Sequence, residues 1–371
     1  MTAAEAAVQT ALRHATARLA DLFQPGQRLV VAYSGGQDSS CLLHALRQHR
    51  GLDLVAAHVD HGLRPDSAAS GARAVDLAEA IGVHPEVRRV DVAAYRAGLP
   101  RWSVQQAARA ARYQVLAAVV QEVGGAALLV AHTADDQAET VLMNLLRGTG
   151  LAGLAGMRLD EVINPRRLGP PVPDLSGLPE RLRVARPLLT VERSTTQAYC
   201  DAVGLTVVED TSNAARAYTR NRVRLDLLPL LEQFNPAVRS LLVRTADLVA
   251  EDNAFLESLV DADYTRLARE HLPEEIEVSL EPWRGLHRAM QRRLLRHALA
   301  HLLDTEPLVD VPAGPIEDAL DLVQSSRAPR AYHLPYGIEL CIGTDAFVLR
   351  LHGRARRRTR ANTWGSSDPR V

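Results

Sequence analysis

A strand, a glycine turn and a helix follow one another within residues 29–46, and this unit constrains the fold more than any other feature. The apolar run Leu29–Ala32 predicts a buried strand, and Cys41–Leu46 predicts a helix. Between them, Gly35 and Gly36 let the backbone turn sharply and approach a ligand closely. The free N–H groups at the start of a helix form an anion site. The sequence therefore predicts a phosphate-binding loop.

Strand and helix patterns alternate through residues 28–146. This alternation predicts an α/β fold, with a doubly wound parallel sheet covered by helices on both faces. In such sheets, ligands bind beyond the carboxyl ends of the strands. The residues expected at that edge are Ser34–Gly36 after the first strand, His58–His61 after the second and His132 after the fourth.

The length of 371 residues favours two or three domains. We predict a catalytic domain over residues 1–215, a mainly helical domain over 216–325, a small terminal β-hairpin over 326–353 and a basic, disordered tail over 354–371. Within the first domain, the proline- and glycine-rich segment 158–183 is predicted to be an exposed loop. Residues 187–213 are predicted to add one more helix and strand.

The chain contains no lysine, so all 43 of its basic residues are arginines. This excludes a Walker lysine, a covalent lysyl-adenylate and a Schiff base. Its three cysteines form no C-x-x-C pair, which disfavours a disulfide framework, a zinc knuckle and an iron–sulfur site. No signal peptide and no membrane-spanning apolar run are found, so we expect a cytoplasmic protein without membrane contact. The sequence does not specify the oligomeric state, and a homodimer is compatible with it.

The phosphate loop, defined as Ser34–Ser40, carries three serine hydroxyls and one carboxylate, Asp38. The carboxylate is placed where a phosphate-bound Mg²⁺ could use it. The pattern Ser-Gly-Gly-x-Asp-Ser resembles the pyrophosphate loop of the ATP pyrophosphatases. That superfamily cleaves ATP between the α and β phosphates.

A second signal follows the fourth strand, where His132 precedes three carboxylates in the first turns of a helix. We call Asp135, Asp136 and Glu139 the acidic cluster. Capping of the helix explains one of them, but not three. Their spacing of three and four residues places them on neighbouring parts of one face, which suits Mg²⁺ or a cationic amine. Without a cation, one pKa among them would rise.

Several arginines stand beside these motifs. Arg112 lies next to an aromatic residue in an otherwise apolar helix, which favours a functional role. Arg147 begins a glycine-rich loop after the acidic helix. Three more arginines, Arg220, Arg222 and Arg224, alternate at the start of the helical region and could clamp RNA phosphates.

Taken together, these motifs resemble the tRNA(Ile)-lysidine synthetase family. The resemblance extends over residues 28–236 and rests on Ser34–Ser39, His58–Arg64, Ala111–Tyr113, Asp135–Thr140, Arg147–Gly150 and Arg220–Arg222. One position departs from the family, which often has a second histidine where this chain has Thr133.

The resemblance implies a two-step ligase. ATP would adenylate the C2 oxygen of the wobble cytidine in a CAU anticodon and release pyrophosphate. Free L-lysine would then attack C2 and displace AMP, so that the tRNA reads AUA. The implied cofactors are ATP and Mg²⁺, and the implied partners are tRNA(Ile) and free lysine.

The resemblance also implies residue roles. ATP would be bound by Ser34, Gly35, Gly36, Gln37, Asp38, Ser39, Ser40, Val59, His61 and Arg112. The catalytic residues would be Asp38, Arg112, His132, Asp136 and Glu139. Asp136 and Glu139 would bind lysine, Asp38 and Asp135 would hold metal, and tRNA would meet Arg64, Arg147, Arg220, Arg222 and Arg224. The basic segment 166–186 and the helical region would also contact the tRNA.

Three alternatives stay open at this point. A tRNA thiolase of the same superfamily is disfavoured by the unpaired cysteines. A small-molecule amidating synthetase would turn over ATP without RNA. A non-catalytic nucleotide- or RNA-binding protein would bind ATP without releasing pyrophosphate.

Overall fold

A computed structural model describes residues 1–49, 51–62, 67–173, 175, 177–208, 219–271, 274–303, 311–327 and 329–351. The chain divides into two compact units, Met1–Glu251 and Asp252–Val371. Predictions for Arg64 and for the tail 354–371 lie outside the described residues. No helix among the described residues is both long and apolar enough to cross a membrane.

The first unit is built on a six-stranded sheet. Its strands are β1 (Arg28–Ala32), β2 (Asp53–Asp60), β3 (His84–Arg89), β4 (Ala127–Leu129), β5 (Asp160–Ile163) and β6 (Leu182–Ala185). The order is β3-β2-β1-β4-β6-β5, and all neighbours are parallel except β5, which runs antiparallel to β6 at the edge.

Helices cover both faces of this sheet. The α-helices described within residues 1–234 are α1 (Ala3–Arg18), α2 (Gln37–Arg47), α3 (Ser67–Ile81), α4 (Val92–Ala97), α5 (Val104–Glu122), α6 (Ala134–Leu146), α7 (Leu151–Leu154), α8 (Arg193–Ala202), α9 (Thr219–Arg222) and α10 (Leu228–Phe234), with a π-helical turn at Val223–Leu227. Alternate residues of β1 point to opposite faces: Leu29 and Val31 pack with α1, α2 and α8, whereas Val30 packs with α5. The predicted doubly wound fold is confirmed.

The segment 158–183 is not the exposed loop that its prolines predicted. It contains β5 and the start of β6, and Leu182 and Val184 are buried against α5. A four-residue strand carries only two inward-facing positions, so its periodicity is easily missed. The strand expected after α8 is not formed in the described part, residues 203–208.

The second unit contains an antiparallel sheet of five strands, ordered β7-β8-β11-β10-β9. Its elements are β7 (Ala268–His271), β8 (Glu275–Ser279), α12 (Leu280–Arg284), α13 (Arg288–Leu302), α14 (Ala313–Ser325), β9 (Arg330–Leu334), β10 (Ile338–Ile342) and β11 (Ala346–Leu351). The 30-residue helix α11 (Val238–Leu267) begins in the first unit and ends in the second. The hairpin predicted at the C-terminus is therefore part of a larger sheet.

The division at residue 251 differs from the boundary that we placed at 215. Helical residues after 218 belong to the first unit because Val223 and Leu228 pack against Ala138 and Leu142 of α6. This packing brings the start of the helical region next to the acidic cluster.

Candidate active site

The phosphate loop leaves β1 and enters α2 through a left-handed turn at Gly35, whose φ is 78°. A Cβ atom built there would lie 2.7 Å from the Cβ atom of Ala74 in α3. Gly36 is the N-cap of α2 and has no side chain to satisfy the first N–H groups. The sequence thus places both glycines where backbone geometry needs them, and the helix start remains available to an anion.

The serine hydroxyls of the loop differ in access. Ser34 is exposed, and its Oγ lies 3.1 Å from Ser39 Oγ. Ser40 is fully buried, where it donates to Gly35 O and contacts the Tyr33 hydroxyl. The predicted ATP contact of Ser40 is therefore better described as bracing the loop, because its side chain does not reach solvent.

Gly35→Ala is expected to weaken ATP binding by at least about tenfold, since the substitution strains a left-handed residue and collides with α3. Fluorescent-nucleotide titration measures the loss. Gly124→Ala is the matched control: Gly124 has φ 67° but no atom within 4 Å of its added Cβ. Equal loss in both variants would contradict a specific role for the loop.

Two residues of the phosphate loop, Gln37 and Asp38, form hydrogen bonds with α8. Asp38 accepts a hydrogen bond from Thr196 and pairs with Arg193, with Nε–Oδ2 at 3.3 Å. Gln37 donates to Arg193 O at 3.1 Å. Burial raises the pKa of Asp38, and neighbouring Asp136 adds to this, although Thr196 and Arg193 oppose it. Asp38 is thus the loop residue best suited to accept a proton.

Arginines cover the two inner carboxylates of the acidic cluster. Glu139 is fully buried, with Arg220 Nε at 2.7 Å and Arg224 Nε at 2.6 Å. Asp136 Oδ1 lies 3.1 Å from Arg193 Nη2 and 3.0 Å from Arg220 Nη2. We call Arg193, Arg220 and Arg224 the arginine cap. Three guanidinium groups on two carboxylates explain why like charges can be buried together here.

The position that departs from the family now has a structural role. Thr133 is the N-cap of α6, and its backbone N–H and hydroxyl both donate to Asp136 Oδ2 at 3.0 Å. Burial acts to raise the pKa of Asp136, but Arg193, His132 and Arg220 outweigh it, so this pKa lies below its ordinary value. Threonine is a favoured residue for such a cap.

Asp135, the third carboxylate of the acidic cluster, pairs with Arg239 rather than with the arginine cap. Its Oδ1 lies 2.8 Å from Arg239 Nη1, and its Oδ2 accepts the backbone N–H of Arg193. Asp135 also lines a cavity of about 240 Å³ together with Glu192, Arg244 and Asp247. Three carboxylates, Asp135, Glu192 and Asp247, and two guanidinium groups, Arg239 and Arg244, line this cavity.

The predicted metal ligands do not form a metal site. Asp38 and Asp135 are each bound to arginine and to a second donor. Among the described residues, no group of three or more His, Cys, Asp or Glu side chains is arranged to hold a metal ion. The described donors therefore do not form a preformed multi-ligand metal site, and the roles of Asp38 and Asp135 toward ATP-bound Mg²⁺ stay predictions.

Unlike the arginines of the arginine cap, Arg112 has no ion-pair partner among the described residues. It projects from α5, and no described residue accepts a hydrogen bond from it; its ring contact is Tyr113, 5.6 Å from the guanidinium carbon to the centroid. Burial lowers the pKa of Arg112, and Arg109 and Arg220 act in the same direction. An incompletely compensated cation of this kind suits an anionic ligand.

Val59 lies near the end of β2, and His61 follows that strand, close enough to Arg112 to feel its charge. Burial and the charge of Arg112 lower the pKa of His61 to about 4, so its imidazole is neutral near pH 7. Its buried Nδ1 has no hydrogen-bond partner among the described residues. His61 therefore offers an unused polar atom beside an unpaired cation.

The arginines predicted to contact tRNA fall into two groups. Arg147 and Arg222 are exposed. Arg220 and Arg224 belong to the arginine cap and are bound to Glu139. Arg186, from the basic segment, is buried and bonded to His132 and Glu161, which corrects our expectation that it contacts RNA.

Sequence reasoning missed Arg193, Thr196, Arg186 and Arg239 as site residues. Arg193 lies 155 positions after Asp38, and no local pattern marks such a pairing. The one available signal was the position of Arg193 at the start of α8.

Comparison with known proteins agrees with this geometry. Residues 6–231 match a family model described as a PP-loop domain, and residues 279–354 match one described as the TilS substrate binding domain. Of the solved structures, the U34-tRNA thiolase NcsA of Methanococcus maripaludis is similar, with a TM-score of 0.51 and 19% identity over 66% of this chain and 78% of that one. This last similarity shows the fold alone.

Relatives of known function share more of the sequence. A protein of Salinispora tropica is 41% identical over 90% of this chain and 93% of its own length. Proteins of Dehalococcoides mccartyi and Clostridioides difficile are 36% and 31% identical over 88% and 89% of this chain, and over 67% and 68% of their own lengths. All three are named tRNA(Ile)-lysidine synthase.

Proposed function

We infer that this chain, which belongs to the tRNA(Ile)-lysidine synthase family, uses ATP to ligate free L-lysine to C2 of the wobble cytidine of CAU-anticodon tRNA(Ile). The observation that carries this proposal is the position of the acidic cluster directly beside the phosphate loop: Arg193 pairs with both Asp38 and Asp136. A ligase of this kind requires its nucleotide site and its amine site to be adjacent, and Arg193 contacts a residue of each.

The nucleotide end of the site would bind ATP through the phosphate loop. The N–H groups at the start of α2 and the exposed hydroxyl of Ser34 are available to phosphate. Arg112 would stabilise the negative charge that develops as the cytidine oxygen attacks the α-phosphorus and pyrophosphate leaves. His61 and Val59 would border the nucleotide at the end of β2.

The second step needs a neutral amine at C2. The ammonium of lysine has an ordinary pKa of about 10.4, so a carboxylate must take its proton as the amine attacks and AMP leaves. Asp136 and Glu139 would bind this amine in place of part of the arginine cap. Asp38 is the carboxylate whose raised pKa favours accepting the proton.

Mg²⁺ would enter the site bound to ATP, rather than being held by the protein before ATP binds. Asp38 and Asp135 are already bound to arginine, so they do not offer the open set of oxygen ligands that a resident Mg²⁺ needs. The chemistry that Mg²⁺ would supply when bound with ATP is neutralisation of the phosphate charge that develops on the leaving pyrophosphate.

The tRNA would contact exposed arginines of the first unit and the second unit. Arg147 and Arg222 are free to meet phosphates. Residues 279–354 of the second unit match the substrate-binding model. The anticodon bases would be read in single-stranded form.

Turnover of α-labelled ATP tests the proposal directly. Purified protein, Mg²⁺ and CAU-anticodon tRNA(Ile) are incubated with and without free lysine. We expect labelled AMP on the tRNA without lysine, and release of AMP with lysine retained on the tRNA after lysine is added. ATP consumption that needs no tRNA would instead favour a small-molecule amidating synthetase.

A further inference from the structure

His132 and Arg186 form a buried contact to which no role has yet been assigned. Arg186 follows β6 and is 2% exposed. Its Nε donates to His132 Nδ1 at 3.1 Å, its Nη1 donates to Arg158 O at 2.8 Å, and its Nη2 binds Glu161. The guanidinium is therefore held in one orientation from three sides.

This contact determines where the imidazole proton lies. A guanidinium is protonated at any physiological pH and can only donate. His132 Nδ1 must therefore accept with its lone pair, and the single proton of the neutral ring is left on Nε2. No described residue accepts a hydrogen bond from that nitrogen.

The surroundings keep the ring neutral. Burial lowers the pKa of His132, and Arg186, Arg112 and Arg109 lower it further, while Asp136 acts in the opposite direction. A second proton on Nδ1 would point at the Arg186 guanidinium. Neither protonation at Nδ1 nor coordination of a metal through that nitrogen is compatible with the observed contact.

We propose that Arg186 is a positioning residue that fixes His132 as the Nε2–H tautomer, so that His132 acts as a neutral hydrogen-bond donor to an anionic phosphoryl oxygen. The identity of this acceptor rests on the proposed function, because it is the adenylated intermediate that would place a phosphoryl group near Arg112 and His132. The tautomer itself rests on the contact with Arg186 alone.

Nitrogen NMR of the histidine side chains tests the tautomer without any substrate. The protein is labelled with ¹⁵N-histidine, and His132 is assigned among the 13 histidines by its loss in His132→Gln. We expect a neutral ring with its proton on Nε2 from pH 5 to 8. A proton on Nδ1, or titration of His132 near its ordinary pKa of about 6.5, would overturn the proposal.

Two substitutions of His132 test the donor role. Glutamine keeps an N–H donor close to the position of Nε2, whereas glutamate of the same length offers only oxygen acceptors. We expect His132→Gln to adenylate tRNA at least about tenfold faster than His132→Glu in single-turnover assays. Equal rates would overturn the donor role, although the NMR result would stand even if the protein did not form lysidine.

Arg186→Met removes the donor to Nδ1 while keeping an unbranched side chain. We expect mixed tautomers in the spectrum and a new acid limb in the pH–rate profile of adenylation, as His132 becomes free to protonate. An unchanged spectrum in the folded variant would refute the role of Arg186. If this variant does not fold, the wild-type spectrum and the two His132 variants still decide the question.

Discussion

Arg112→Gln is expected to slow adenylation of the tRNA by about 10²–10³-fold, the loss that follows removal of one preorganised donor to a developing oxyanion, or ~3–4 kcal/mol. Arg112 is the guanidinium at this site that no described residue neutralises by a hydrogen bond or an ion pair. Burial, Arg109 and Arg220 disfavour its charge more than Tyr113 and Asp136 favour it, so a bound anion would stabilise it. We take that anion to be the reacting phosphate.

The same helix supplies a matched control. Arg109 is exposed, lies three residues earlier and faces the same Tyr113 ring at 5.0 Å. Arg109→Gln should adenylate tRNA within about threefold of the wild type, because Arg109 is exposed and solvent screens its charge. The assay is single-turnover formation of labelled AMP on tRNA without lysine, which isolates the first step.

Arg112→Lys separates charge from geometry. An ammonium keeps the positive charge but cannot form the planar bidentate contact of a guanidinium, so we expect an intermediate rate. Equal slowing by Arg112→Gln and Arg109→Gln would show that the effect is general electrostatics of the helix rather than contact with the reacting phosphate.

The parts of the site that lie within one short segment were predictable from sequence. The phosphate loop and the start of α6 each combine a strand end, a cap and a helix, and these signals are local. Alternation of strands and helices was enough to predict the sheet and the edge at which both segments meet.

The contacts that connect those segments were not predictable. Arg220 and Arg224 are separated from Glu139 by more than 80 positions, and the sequence pattern alone favoured RNA phosphates as their partners. Nothing local distinguishes an arginine that pairs with a distant buried carboxylate from one that is exposed. The packing of residues 219–228 against α6 decides between the two.

Short strands were the other elements that the sequence pattern did not predict. β8 alternates, with Ile276 and Val278 buried, but its five residues lie between helical patterns that dominate the periodicity. β5 lies at the start of the proline- and glycine-rich segment 158–183, and β6 begins at its end. Each of these strands is stabilised by pairing with neighbours distant in sequence, which a local pattern does not report.

Asp136→Asn is expected to abolish lysidine formation, with a loss of more than about 10³-fold that corresponds to ~4 kcal/mol. The carboxylate receives Thr133 on one oxygen and the arginine cap on the other. Removing its charge takes a carboxylate partner from Arg193 and Arg220, and breaking a buried ion pair typically costs about 3–5 kcal/mol. It also removes one of the two carboxylates proposed to bind the lysine amine.

Separating the two steps shows which loss dominates. If Asp136 binds lysine, labelled AMP should still appear on the tRNA in Asp136→Asn, whereas lysine should not displace it even at high concentration. Glu232→Gln is the control, because Glu232 also pairs with an arginine, Arg239, but has no proposed contact with substrate. A thermal melt of each variant establishes that it is folded. Near-normal lysidine formation by folded Asp136→Asn would refute the assignment of Asp136 to the lysine site.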